Sequence, residues 1–202
     1  MGVTPKQFEQ LKARLNKPQR VAGPVMEGSY RSSTTKHQIV IGVDPSLRGT
    51  GFGVVQMAKP HPTVLAQGTI SCPAGWERSR CLVKISQTLR EVVAKTHPTV
   101  CAIEGLFYAQ NLQTALIMGE ARGAALAAIA ESRLDIFEMA PRKVKQAIVG
   151  YGAAQKIAVA KMVQRMLHLP EPPDPDAADA LALALAYAQE ANKFGLATTK
   201  RV

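Results

Sequence analysis

Regular alternation of apolar and polar positions begins only at Gln38. Ile39-Val40-Ile41-Gly42-Val43 is a β-branched run without a polar side chain, the pattern of a central strand buried on both faces, and Asp44 stands at its end. Thr50 to Gln56 and Thr63 to Ile70 read as two further strands, separated by the turn residues Lys59-Pro60-His61-Pro62, so the fold opens with an antiparallel three-strand unit. The period then changes. From Glu77 to Thr96, Leu82, Ile85, Leu89, Val92 and Val93 recur at helical spacing until His97-Pro98, where the residue before proline resists the helix. Thr99 to Ile103 is a second buried strand, ending in Glu104. A helix over 112–131 and a fifth strand from Leu134 to Phe137 follow. Pro141 suits the first position of a short helix that halts at Gly150-Tyr151-Gly152. A helix over 155–167 and an Ala/Leu-rich helix from Asp176 to Asn192 complete the order.

That order, βββαβαβααα, predicts an α/β ribonuclease-H-like fold: a mixed five-stranded sheet, its first three strands antiparallel, flanked by helices. Crossover handedness then sets the two buried strands side by side, so Asp44 and Glu104 face each other across a short gap. Neighbouring anions repel and raise each other's pKa, which gives two purely structural carboxylates nothing. Asp176-Ala177-Ala178-Asp179 opens the last helix, and a spacing of three puts both carboxylates on one face near a helix N-terminus. Helix capping alone accounts for that pair taken by itself. Four carboxylates on two strand ends and one helix start are the oxygen-donor set of a hard divalent cation, with room for two Mg2+ and with Mn2+ as an alternative ion. In a two-metal scheme one ion activates water and the other stabilises the leaving oxygen of a phosphodiester displacement.

Composition adds a partner. With 202 residues, 47% of them apolar and 20% charged, the chain predicts one self-sufficient globular domain. Lys and Arg number 25 against 15 Asp and Glu, a net charge of +10 that favours a polyanion, with nucleic acid first. Residues 1–37 hold seven basic residues against Glu9 and Glu27, a net of +5, together with Pro, Gly and Ser in a stretch with few large apolar side chains. This stretch reads as a basic, disordered N-terminal extension outside the fold, with an electrostatic arm or a transit peptide as functional readings. The nuclease domain is expected over 38–192 and a C-terminal tail over 193–202. No acidic residue lies between Glu138 and Glu171, whereas Arg142, Lys143, Lys145, Lys156, Lys161 and Arg165 do, and a cationic wall beside a carboxylate cluster draws a DNA backbone onto metals. Cys72, Cys81 and Cys101 fit neither a disulfide framework nor a zinc site and point to a reducing cytoplasm. Leu181 to Ala188 is far too short an apolar run to cross a bilayer, and the first residues lack the apolar region of a signal peptide.

These residues match one family at several places: Asp44-Pro45-x-x-Arg48-x-Thr50-Gly51-x-Gly53, Ala102-Ile103-Glu104-x-x-Phe107, Gly119-x-Ala121-Arg122-Gly123, Val144-Lys145-Gln146 and Asp176-Ala177-Ala178-Asp179-Ala180-Leu181. Over about residues 38–190 the chain resembles the RuvC Holliday-junction resolvases. The resemblance implies a homodimeric, Mg2+-dependent endonuclease that places symmetric nicks in four-way junction DNA during recombination and repair, with the RuvA and RuvB branch-migration proteins as further candidate partners and no membrane. It implies a metal-binding tetrad of Asp44, Glu104, Asp176 and Asp179, with Lys145 and Lys156 as basic catalytic residues at the scissile phosphate. Phe107 matches the aromatic that stacks on bases at the junction centre, and Arg48, Arg142 and Lys143 join the DNA-binding set. Ser46 stands where the family commonly has Gly, and Gln110 stands where a basic residue usually precedes an Asn.

Other readings remain open at this point. An actin-like ATPase or sugar kinase also begins with a strand, an Asp and glycines, but it pairs two such domains and this chain is too short for both. A non-catalytic junction binder predicts an incomplete acidic cluster, whereas all four acids are present. A nuclease of the same fold acting on RNA or other branched DNA differs only in surfaces the sequence does not place.

Overall fold

The computed structural model describes residues 38–105, 111–194 and 200–202. Strands β1 (Ile39–Asp44), β2 (Gly49–Gln56) and β3 (Thr63–Ser71) form the antiparallel opening, followed by helix α1 (Arg78–Thr96), β4 (Val100–Glu104), α2 (Leu112–Ala130), β5 (Asp135–Met139), α3 (Pro141–Val149), α4 (Lys156–Met166), α5 (Pro175–Phe194) and β6 (Lys200–Arg201). The sheet order is β3-β2-β1-β4-β5-β6. β4 is parallel to β1 and to β5, and β6 returns antiparallel to β5.

The expected α/β class with a mixed sheet is therefore present, with six strands rather than five. The sixth comes from within 193–202, the segment expected to be a tail. Two residues are too few to show a period in the sequence. This strand is held by ion pairs of Arg201 with Asp135 and of Lys200 with Glu138, and by the Val202 N–H donating to the Ile136 carbonyl. The helix opened by Pro141 runs on to Val149 and ends at Gly150, whose φ of 99° is accessible to glycine at little cost. The basic extension over 1–37, Phe107 and Gln110 lie outside the described residues.

Strand alternation sorts the core into two layers. Val40, Val100, Ala102, Phe137 and Met139 pack with α3, α4 and α5, while Ile41, Val43, Cys101, Ile103 and Ile136 pack with α1 and α2. Ala177, Ala178 and every residue from Ala180 to Tyr187 are buried, because α5 lies between the sheet and the α3–α4 pair. Its alanines bring it close, and the glycines of the sheet bring it closer. A Cβ on Gly42 would fall on the Ala180 carbonyl oxygen, and one on Gly51 would fall on that of Asp176. Among the described residues no helix is long and apolar enough to cross a membrane.

Candidate functional site

Period two along the strands aims the first two carboxylates. Val40 and Gly42 face α5, so Asp44 points to that side, and Val100 and Ala102 set Glu104 the same way. The parallel register pairs Val43 with Ile103, leaving Asp44 and Glu104 as the next residues on adjacent strands. Their side chains are close enough for each to shift the other's pKa. The N-terminal end of α5 enters above them, carrying Asp176 in its first turn and Asp179 one turn on.

Asp44, Glu104 and Asp179 line one cavity of about 170 Å3, together with Lys145 and Lys156 and an apolar wall that includes Val144 and Leu183. Asp176 is off this lining but close enough for its charge to raise the Asp44 pKa. Lys156 Nζ is 2.7 Å from Asp179 Oδ2, and this contact raises the ammonium pKa. Lys145 is half-buried in the wall, while Arg142 and Lys143 are exposed on the same helix, Lys143 lying 4.0 Å from Glu190. The Arg48 guanidinium turns away from the carboxylates. It donates to the Pro73 carbonyl (2.6 Å), the Trp76 carbonyl (2.9 Å) and the Cys81 thiol (3.2 Å), which fixes the turn after β3.

Burial pushes Asp44 and Glu104 up from the ordinary carboxylate range. Glu104 rises to about 9, chiefly by desolvation and then through its hydrogen bond to Asp44 and the charges of Asp44 and Asp179. Of the two, Glu104 is the one pushed further toward its protonated form, which suits a proton shared with the Asp44 carboxylate. Among the described residues, no three acidic, His or Cys side chains stand ready to hold one ion. The donor chemistry nevertheless fits a hard divalent cation: four carboxylates converge at one end of the sheet, and their repulsion is relieved here by one shared proton and one ammonium. A cation held by these carboxylates would compete with the Glu104 proton and with the Lys156–Asp179 pair.

A pH effect follows. Between Glu104's ordinary 4.5 and about 9, the folded protein holds a proton that the unfolded chain has released. Raising the pH through that window weakens folding. In EDTA, the Glu104 contribution lowers Tm from pH 6 to pH 8.5, and Mg2+ raises Tm more at pH 8.5 than at pH 6 because binding displaces the proton. A differential scanning fluorimetry series checks this. A Mg2+ increment that is flat or larger at pH 6 contradicts it.

Two residues that stand in the motifs without an assigned role support the site. Arg122, buried on α2, donates from Nε to the Glu104 backbone carbonyl (3.3 Å) and pairs with Glu138 on β5 at 2.5 Å, tying the end of β4 to its neighbours. The signal was an arginine inside an otherwise apolar helical stretch. Behind Asp44, the buried Thr50 hydroxyl donates to the Ser46 carbonyl (2.5 Å) and accepts from the Ser46 N–H (3.1 Å). The turn after Asp44 is closed by these two bonds.

A family model described as crossover junction endodeoxyribonuclease RuvC matches residues 40–187. A crossover junction endodeoxyribonuclease RuvC from Akkermansia muciniphila is 42% identical over 135 residues, covering 67% of this chain and 81% of the relative. One from Bordetella parapertussis is 45% identical over 130 residues, covering 64% and 71%. The T. thermophilus RuvC solved in complex with a Holliday junction substrate superposes with a TM-score of 0.74 at 32% identity, covering 82% of this chain and all (100%) of that one. A yeast mitochondrial Holliday junction resolvase, with a TM-score of 0.55 at 12% identity over 76% of this chain and 80% of its own, shares the fold.

Proposed function

The chain belongs to the crossover junction endodeoxyribonuclease RuvC family, and on that premise we propose that it resolves four-way DNA junctions by paired, symmetric phosphodiester hydrolysis at the Asp44–Glu104–Asp179 cavity. It is a metal-dependent, structure-specific endonuclease of recombination and repair. The observation that carries the site assignment is the convergence of half-buried carboxylates and two lysines at one end of the sheet. Asp44, Glu104, Asp176 and Asp179 would hold two Mg2+, with Mn2+ as the alternative ion. Bound there, the ions would lower the pKa of an attacking water and neutralise the leaving oxygen of an in-line displacement.

The chain's own residues do the rest. Lys145, fixed in the cavity wall, and Lys156, once Asp179 turns to the metal, direct ammonium groups at the scissile phosphate. Arg142 and Lys143 extend the positive face along α3 and hold the flanking backbone. Phe107 is assigned to stacking on an unpaired base at the junction centre. Two cuts in one junction call for two such sites, and a homodimer supplies them. Leu112 and Leu116, exposed by 76% and 57% one turn apart on α2, offer an apolar face for that pairing. RuvA and RuvB are the further partners in this reading. The three free cysteines suit a reducing cytoplasm.

The test is a substrate panel. In Mg2+, the protein cuts a mobile four-way junction and leaves the linear duplex of the same sequence intact, and EDTA abolishes the cutting. Equal cleavage of the duplex, or cleavage that survives EDTA, overturns the assignment.

A further inference from the structure

A second cationic surface flanks the carboxylates on the opposite side from α3 and α4. β1 ends at Asp44, and the register aligns Asp44 with Gly51 and Gly51 with Thr69, so the end of β3 lies two strands away on the same rim of the sheet. At about 4.8 Å per strand, that is about 10 Å of lateral distance. The turn leaving β3 carries Trp76. Arg80 Cζ sits 3.8 Å from the centre of its ring, and Lys84 Nζ sits at 5.3 Å. Lys84 also donates to the Ser71 carbonyl (2.7 Å), and Arg48 clamps the turn from below through the Pro73 and Trp76 carbonyls.

The charge pairing along α1 is uneven. Arg78 and Arg90 each have a carboxylate partner, Glu120 and Glu131. Arg80, Lys84 and Arg48 have none among the described residues within ion-pair distance. Two cations of α1 and Arg48 are thus gathered around the Trp76 turn and held in place by an indole and by backbone carbonyls, which orient positive charge without neutralising it. An exposed guanidinium centred over a ring still has N–H groups to donate, and a guanidinium is matched to the paired oxygens of a phosphate.

We infer that the Arg80–Trp76–Lys84 surface is a second phosphate-binding site, gripping the backbone of a junction arm a few nucleotides from the cut. This rests on the proposed function, since the cavity defines which strand lies across the rim. The carboxylate site is the place of cutting, and this surface gives a duplex arm a second point of attachment and so fixes its angle.

Trp76 is the chain's one tryptophan, so its emission reports on this surface alone. The experiment uses the full chain in EDTA, where the junction binds uncut, and follows labelled-junction anisotropy over a salt series together with Trp76 fluorescence. Wild-type emission is expected to change with the same midpoint as the anisotropy. Arg80→Ala and Lys84→Ala each make the slope of log affinity against log salt shallower by about 0.9, the value of one lost phosphate contact. Lys95→Ala, at the far end of α1, keeps the wild-type slope. Arg80 is exposed, so its variant tests the site even if Lys84→Ala lowers stability. A wild-type slope in Arg80→Ala, or unchanged Trp76 emission at saturating junction, overturns the inference while leaving the resolvase reading intact. No junction binding by the wild-type chain overturns both.

Discussion

Glu104→Gln lowers junction cleavage in Mg2+ by on the order of 10³-fold, about 4 kcal/mol of lost transition-state stabilisation, while uncut junction in EDTA binds as well as before or more tightly. The substitution keeps the side chain's volume and removes one anionic oxygen donor. It also reproduces the state that burial already imposes, because the glutamic acid stays protonated well above the usual carboxylate range beside Asp44. An amide can take the same place, so the fold is expected to hold and the melting curve at pH 8 not to fall. Binding is spared because the metal-free side chain is already neutral, so the amide adds no repulsion toward the phosphate. Cleavage within tenfold of wild type, with a normal melt, would remove Glu104 from the reaction.

The second large effect is on folding. Gly42→Ala places a methyl group on the Ala180 carbonyl and against the Ala184 backbone N–H. Backbone on a buried helix cannot swing aside as a side-chain tip can, so α5 must lift from the sheet. Overpacking of this kind costs about 3 kcal/mol, which in a chain of this size lowers Tm by roughly 6 to 12 °C. Lifting α5 also withdraws Asp176 and Asp179 from Asp44, so surviving folded protein is expected to cut poorly. Gly75→Ala is the control, since nothing lies within 4 Å of its added methyl, and its Tm stays within a few degrees. Thermal melts of both variants decide the matter; a Gly42→Ala protein as stable as Gly75→Ala would mean that α5 is not pressed against the sheet as described.

Asp44 and Glu104 were legible because each ends a β-branched run whose alternation fixes the face of the next residue, and the observed register sets them on adjacent strands. Asp176 and Asp179 were legible from helical spacing, but their place above Asp44 depends on Gly42 and Gly51, whose role is a contact between elements far apart in the chain. Glycine inside a strand pattern signals close approach without naming what approaches. Arg122 was visible as part of a motif, yet its task of holding the Glu104 carbonyl and Glu138 required the packing of α2 beneath β4 and β5. β6 left no periodic trace, being two residues held by charge on the edge of β5. Arg48 sat in the right motif for a DNA contact, whereas its direction, toward the Pro73–Trp76 turn, depends on where β3 ends.

The most direct test of the resolvase assignment is to map the nicks. A mobile four-way junction is labelled on each strand in turn, incubated with the protein in Mg2+, and the products are sized. The expected result is one nick in each of two opposing strands, at symmetric positions at the branch point, both lost together in Glu104→Gln. Nicks scattered along the arms, confined to a single strand, or persisting in Glu104→Gln would contradict paired hydrolysis at the Asp44–Glu104–Asp179 cavity.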